Sequence, residues 1–494
     1  DITPAWSFNG FISGDTSATI AYTGRNYNTA NVTTANLITV SGLSITSVAG
    51  GNSSAPEDYV LDSTTKTVNA TITPKTVSLA VAPKVYDAST DMTGYVSITT
   101  GVGGETLTYN GATSNDAHVA TADKYLNAIT LGNASDGSGG LASNYQLPTL
   151  NAANALVTIN PKTLTLTLTN SGYSQVYDGD AAADITPAWS FNGFISGDTS
   201  ATIAYTGRNY NTANVTTANL ITVSGLSITS VAGGNSSAPE DYVLDSTTKT
   251  VNATITPKTV SLAVAPKVYD ASTDMTGYVS ITTGVGGETL TYNGATSNDA
   301  HVATADKYLN AITLGNASDG SGGLASNYQL PTLNAANALV TINPKTLTLT
   351  LTNSGYSQVY DGDAAADITP AWSFNGFISG DTSALINYAS KAYNDKDVAA
   401  ANLITISGLT IDGITGGNNS AATDYILDAN TKTVVASITR ADLQIRANND
   451  AKFVLQNDVV GYAGVSYSGF VGGETAADLA GTLQVTRNNA GTNL

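Results

Sequence analysis

The oxygen-rich loops are where this sequence could first do chemistry. Asp178, Asp180 and Asp184 lie close along one stretch, and Asp136 sits in the segment NASDGSGG. A calcium ion takes six to eight hard oxygen ligands, so these four carboxylates are calcium candidates by residue type. Neither stretch has the closing glutamate of an EF-hand loop or the glycine-rich calcium nonapeptide. Solvated turn carboxylates are the plainer reading. His118, in SNDAHVATADK, has Asp116 and Asp123 close by, a superficial catalytic or zinc pairing. Without a second imidazole beside it, a serine elbow or any cysteine, it reads as a surface-loop histidine. Gly103-Gly104-Glu105 lacks the Lys-Ser/Thr and the helix that a phosphate loop needs, and reads as a turn. Tyrosine followed by aspartate recurs at Tyr86-Asp87, Tyr177-Asp178, Tyr269-Asp270 and Tyr360-Asp361. Each ring is expected to bury while its carboxylate accepts turn N–H groups, because recurrence inside a repeat reports what the fold needs. Trp6, Trp189 and Trp372 each stand in PAWSFNGF and read as core or inter-module packing. No catalytic or cofactor-binding set emerges, and the chain is expected not to be an enzyme.

Composition narrows the elements that could carry these residues. The 494 residues include 38 acidic and 19 basic side chains, a net charge of −19 that opposes phosphate-backbone binding. There is no cysteine, so disulfides and thiolate metal sites are excluded. Charged residues make up only 12%, about half the usual quarter. Thr, Ser, Asn and 47 glycines do the polar work instead, the chemistry of strands and tight turns. No run of about 18 apolar residues is present to span a membrane. The chain opens at Asp1 without a methionine or an apolar leader, and is expected to be an internal piece of something longer.

The organisation comes from repetition. Residues 1–183 recur identically as 184–366, and a third copy starts at Asp367 and drifts from Leu385 onward. A period of 183 residues is far too long for one solenoid coil of roughly 20–50 residues, so each period should hold whole domains. Within a period, NPKTLTLTL at 160–168 answers TPKTVSLAV at 73–81, and the turn ISGDT at 195–199 answers VGGET at 102–106. The chain therefore parses as a truncated module 1–73, complete ones at 74–160, 161–256, 257–343 and 344–439, and a truncated one at 440–494. Thr/Leu alternation such as TLTLTLT is the period-2 mark of a half-buried strand. Short strands spaced by Gly/Asn/Asp turns predict an all-β tandem array of small β-sandwich, Ig-like modules. Helix is expected at most as a turn or two, in VTTANL or VATADKYL. Modules join through Ile-Thr-Pro-Lys or Ile-Asn-Pro-Lys without a spacer, and proline marks the step from one sheet to another. Modules about 35 Å across, so joined, would build an elongated rod on the order of 200 Å.

The leading PKTL strand (Pro161 to Leu164), the VYDG corner (Val176 to Gly179), the GxxxGDT turn (Gly193 to Thr199) and the closing DYxL…ATIT stretch (Asp241 to Thr256) resemble the YDG and MBG modules of bacterial surface proteins. GFVGGETAADLAGTL at 469–483 is similar to the MBG type, and the 87-residue modules depart from the pattern with Ala88 and Ala271 in place of glycine. The resemblance implies filamentous-haemagglutinin-like or other giant adhesins, hence an extracellular, cell-surface or biofilm-matrix location. It also implies glycosylation at sequons such as Asn31, Asn52, Asn69, Asn133 and Asn418. The function expected is a structural stalk or fibre. The competing expectation is a multivalent array gripping a host or matrix glycan or protein. Partners are expected to be neighbouring modules or copies of the same chain, with no nucleic acid. The truncated ends are expected to expose sheet edges that could pair from chain to chain.

Overall fold

The computed structural model describes residues 2–449, 451–456 and 464–484. Strands take 43% of the residues and helix 5%, so the protein is all-β. It divides into two compact units: Asp1–Gln175 with Ala181–Ala213 and Thr217–Thr254, and Val176–Asp180 with Asn214–Thr216 and Ile255–Leu494.

Residues 344–439, inside the second unit, show how the YDG-like sequence folds. The strand Lys345–Leu351 pairs antiparallel with Trp372–Asn375 and parallel with Tyr425–Leu427. A second sheet is ordered Tyr356–Val359, Thr431–Thr439, Leu403–Ser407, Ser390–Tyr393, with its first pair parallel. A bulged antiparallel ribbon joins Asp381–Asn387 to Thr410–Gly416. The alternation KTLTLTL works as the period-2 pattern requires: its leucines, Leu347, Leu349 and Leu351, turn inward and its threonines outward. Leu349 and Leu351 from one sheet meet Ile404, Ile406, Val434, Ala436 and Ile438 from the other in one buried cluster. Two sheets closed over a common core make a β-sandwich.

Residues 257–343 are built from shorter pieces. Ser261–Val264 pairs with Val279–Thr282, and Thr291–Ser297 with Leu309–Gly315. Two-residue parallel ladders tie Lys258–Thr259 to Tyr328–Gln329 and Lys267–Val268 to Ile342–Asn343. Helix does not form at VTTANL or VATADKYL. The described α-helical turns are Ala152–Ala155 and Ala335–Ala338, where the side chains of Asn151 and Asn334 cap two backbone N–H groups each. An asparagine cap before three alanines was the signal, and it outweighs the weak periodicity of the two expected segments.

Pro344 stands where the chain changes sheets, between Ile342–Asn343 and Lys345–Leu351. The apolar core does not stop there. Leu347, fully buried, belongs to a cluster with Tyr269, Met275, Leu309, Val340 and Tyr425, with Phe374 and Phe377 packed against it. The first unit repeats this with Leu164, Tyr86, Met92, Leu126, Val157 and Tyr242. Successive cores are thus continuous across Pro161 and Pro344. In residues 1–73 the strand Thr65–Asn69 is solvent-exposed throughout and closes a sheet of three strands. Near the C-terminus Gln444–Ala447 pairs with Val465–Ser468. The rest of the segment assigned to 440–494 includes 457–463 and 485–494, which lie outside the described residues.

Candidate functional site

The sheet change at Pro161 brings two tyrosines to one place by register alone. Tyr86 follows the strand Lys84–Val85, and its N–H donates to Asn160 O, the last residue before Pro161. Tyr242, late in the following segment, lies opposite Lys162, the first residue after that proline. The two rings therefore flank the proline step and meet edge to face, with centroids 5.7 Å apart. Between them lies Asp198 of the ISGDT turn, 8% exposed. Tyr242 Oη donates to Asp198 Oδ2 at 2.7 Å, and Ser237 Oγ donates to the same oxygen at 2.5 Å. Tyr86 Oη and Ser237 Oγ are 2.7 Å apart. With the serine proton committed to the carboxylate, Tyr86 is the donor in that bond. The chain of groups runs Tyr86, Ser237, Asp198, Tyr242. It recurs in the second unit as Tyr269, Ser420, Asp381 and Tyr425.

A second contact stands beside it. His118 stacks on Tyr86 and places Nδ1 2.7 Å from Oδ2 of Asp241, a side chain with no solvent exposure. Val119 N donates to the other oxygen at 2.7 Å. His301, Val302 and Asp424 repeat the arrangement. The reading of His118 as a surface-loop histidine is corrected by this geometry: its partner lies 123 positions away, which no local window could show.

The VYDG corner makes a variant of the same joint, within the second unit. Tyr177 is held by its N–H to Thr256 O and is 3% exposed. Its hydroxyl donates to Glu288 Oε1 at 2.5 Å, while Tyr328 donates to Oε2 at 2.7 Å. The rings again meet edge to face, 5.3 Å apart. Glutamate reaches both phenols directly where aspartate needs a serine in between. Tyr360 and Glu474 form the same bond, although little of that last segment matches the others. Burial, with help from the Glu288 carboxylate, pushes the Tyr177 phenol up to about 12. Burial likewise raises Tyr242, Tyr328 and Tyr425. The glycine of the corner also has a reason. Gly179 has φ +101°, and a Cβ there would lie 2.6 Å from Val285 Cγ1; at Gly362 it would lie 2.6 Å from Gly472 Cα. Ala88 and Ala271 take φ of 62° and 60° at the corner without glycine.

The remaining candidates serve turns. Asp87 Oδ1 accepts from Ser89 N and pairs with Lys84, and Asp270 does the same with Ser272 and Lys267. Lys84, 3% exposed, also donates to Ser89 O and Asp91 O, so an ammonium fills that oxygen-rich loop. Asp178 accepts from Asp180 N, and Asp361 from Asp363 N and Gln358 Nε2. Asp184 is exposed, its N–H bonded to Gln175 Oε1. Asp136 is held down to about 2 by the Thr106 hydroxyl and by Ser138 N–H. Among the described residues no three His, Cys, Asp or Glu side chains gather to hold a metal ion. Trp6, Trp189 and Trp372 are half-buried; Trp6 and Trp372 pack on the cores of their segments. Of the sequons, Asn52 and Asn418 spend their amide N–H groups on Ser13 O and Ser379 O, whereas Asn69 is exposed.

A YDG domain is found at residues 160–250 and again at 343–433. No curated protein matches the chain. Among solved structures, the chain is similar to Drosophila N-cadherin EC1-4, at 8% identity over 74% of this chain and 92% of that one, with a TM-score of 0.15. It is also similar to the protocadherin GammaB4 extracellular domain, at 9% identity over 75% and 67%, with a TM-score of 0.18. The β-sandwich assignment rests on the sheets themselves.

Proposed function

We propose that this chain is a structural stalk or fibre region of a bacterial cell-surface or biofilm-matrix adhesin, non-catalytic, with modules joined at the proline steps. The observation that carries the reading is the joint: a buried carboxylate tied to one tyrosine directly and to a second through a serine, set beside a core continuous across the proline. Buried polar groups that are fully hydrogen-bonded fix one arrangement, since any other leaves a desolvated oxygen unpaired. A chain that repeats such joints resists bending, which suits a spacer better than a set of independent binding domains. The extracellular setting is part of the proposal and draws on the resemblance of the YDG-like segments to adhesin modules. Small-angle scattering of the full chain tests the reading. A stiff particle with a maximum dimension on the order of 200 Å, from modules about 35 Å across, is expected. A flexible-chain profile, or a globule, would overturn it. Binding of the same chain on a glycan array would favour the multivalent adhesive reading.

A further inference from the structure

The joints are of two kinds, and the kinds differ in matched pairs. At four of the joints a loop valine donates its N–H to Oδ1 of the residue before the late tyrosine: Val32 to Asn144, Val119 to Asp241, Val215 to Asn327, Val302 to Asp424. That backbone bond is common to all four and carries no information. The side chain before the valine varies together with its partner. Asn31 faces Asn144 at 3.1 Å and Asn214 faces Asn327 at 2.9 Å, whereas His118 and His301 face Asp241 and Asp424 at 2.7 Å. The carboxylate turn varies in step. Asp198 and Asp381 come with Ser237 and Ser420. Glu105 and Glu288 come with Gly140 and Gly323, where a Cβ would lie 2.0 Å or less from the carbonyl of Thr106 or Thr289.

We infer that these pairs are an address: the face built on Asp–Ser with a second Asp accepts a neighbour presenting histidine, and the face built on Glu–Gly with Asn accepts one presenting asparagine. The partner each face fits is thus a segment of the opposite type, and alternation along the chain is enforced by the joints. Chemistry gives the reason. Aspartate has no N–H to offer, so Asn214 Oδ1 opposite a carboxylate would set acceptor against acceptor until the amide turned over. Asparagine opposite His118 would aim an N–H at Nδ1 and forbid the protonated ring. A face discriminates by what it leaves unsatisfied as much as by what it binds. The inference deepens the stalk reading and rests on the joints being structural. Its test reads pair matching, whereas scattering reads stiffness, so the two can fail separately.

The experiment uses the full chain with both identical copies changed together. The variants are D241N/D424N, H118N/H301N, and all four substitutions combined. Hydrogen exchange is followed in the peptides spanning 115–126 and 298–309, which carry the Val119 and Val302 amides. Because both copies are changed alike, their identical sequences do no harm. Each pairwise variant is expected to speed exchange there by about tenfold or more. The fourfold variant, which recreates an Asn–Asn pair, is expected to return to within about threefold of wild type. The loops around Asn31 and Asn214 should not change in any variant. The reciprocal set, N31H/N214H, N144D/N327D and all four combined, should mirror the result in the peptides around Val32 and Val215 if the first fourfold variant folds poorly. Single-pair variants that exchange like wild type, or combined variants no better than their parents in both sets, would overturn the address.

Discussion

Removing one oxygen atom tests the joint most cleanly. Tyr177→Phe keeps the ring against Tyr328 and deletes only the hydroxyl that donates to Glu288 at 2.5 Å. Hydrogen bonds to charged groups contribute roughly 1.5–3 kcal/mol. The phenol offers a second measure: it moves from 10.0 to about 12, and about two units at 1.36 kcal/mol each is ~3 kcal/mol. Burial supplies the largest part of that shift and the bond the next, so the bond's share is under half of it, about 1–1.5 kcal/mol. Since Tyr177 is only 3% exposed, solvent screening takes little from it. Glu288 keeps Tyr328 as a donor, so the variant should fold. For a domain of 60–100 residues each kcal/mol lowers the midpoint by about 4–8 °C, and calorimetry of the full chain should show one transition moved down by about 4–12 °C. Tyr278→Phe, at a ring 36% exposed, should stay within about 0.5 kcal/mol of wild type. A Tyr177→Phe transition shifted by less than about 2 °C would refute the claim that the carboxylate holds the joint.

Alkali should act on the same groups. A phenol whose folded pKa is raised contributes stability that is complete below pH 10 and is lost as pH rises towards about 12, so tyrosinate absorbance should show a late class; a single class near pH 10 would contradict the buried donors. Acid should act on the Asp136 and Asp319 turns, where the hydroxyls of Thr106 and Thr289 hold the carboxyls near 2. Their stabilisation is present above pH 3.8 and fades as pH falls to about 2, and T106V/T289V should return both carboxyls towards the ordinary range in a carbon-detected NMR titration. Leu347→Ala, at a fully buried site where two segments share core, should cost about 2–5 kcal/mol in urea unfolding; a loss below about 1 kcal/mol would mean the core is not shared across Pro344.

The sequence made the strands legible because their signal is local. KTLTLTL alternates with the pleat, Gly/Asn clusters punctuate it, and Pro-Lys marks each change of sheet. Burial of Tyr86, Tyr177 and Tyr269 was legible for a similar reason, as recurrence in a repeat points to packing. What each tyrosine touches was not. Glu288 stands 111 positions beyond Tyr177, and Asp241 stands 123 beyond His118. ISGDT and VGGET therefore read as turns, which they are, without showing that their acid is the common acceptor. One signal could have exposed it: Asp travels with Ser five residues before the late tyrosine, and Glu travels with Gly at that place. The short helices escaped notice because four residues cannot display a 3.6-residue period, whereas their asparagine caps were in plain view.

The parallel ladders of residues 344–439 have a mechanical consequence. Lys345–Leu351, which brings the chain in, runs parallel to Tyr425–Leu427, and Tyr356–Val359 runs parallel to Thr431–Thr439, which carries it out. Tension applied between the two ends pulls the incoming strand backwards and the outgoing strand forwards. Parallel partners under such a load slide along one another, so every hydrogen bond of the ladder is strained at once. An antiparallel hairpin pulled from its open end would unzip, bond by bond, at far lower force. The order in which this chain visits its strands therefore orients the segment to bear a pull between its termini, like a lap joint glued along its length.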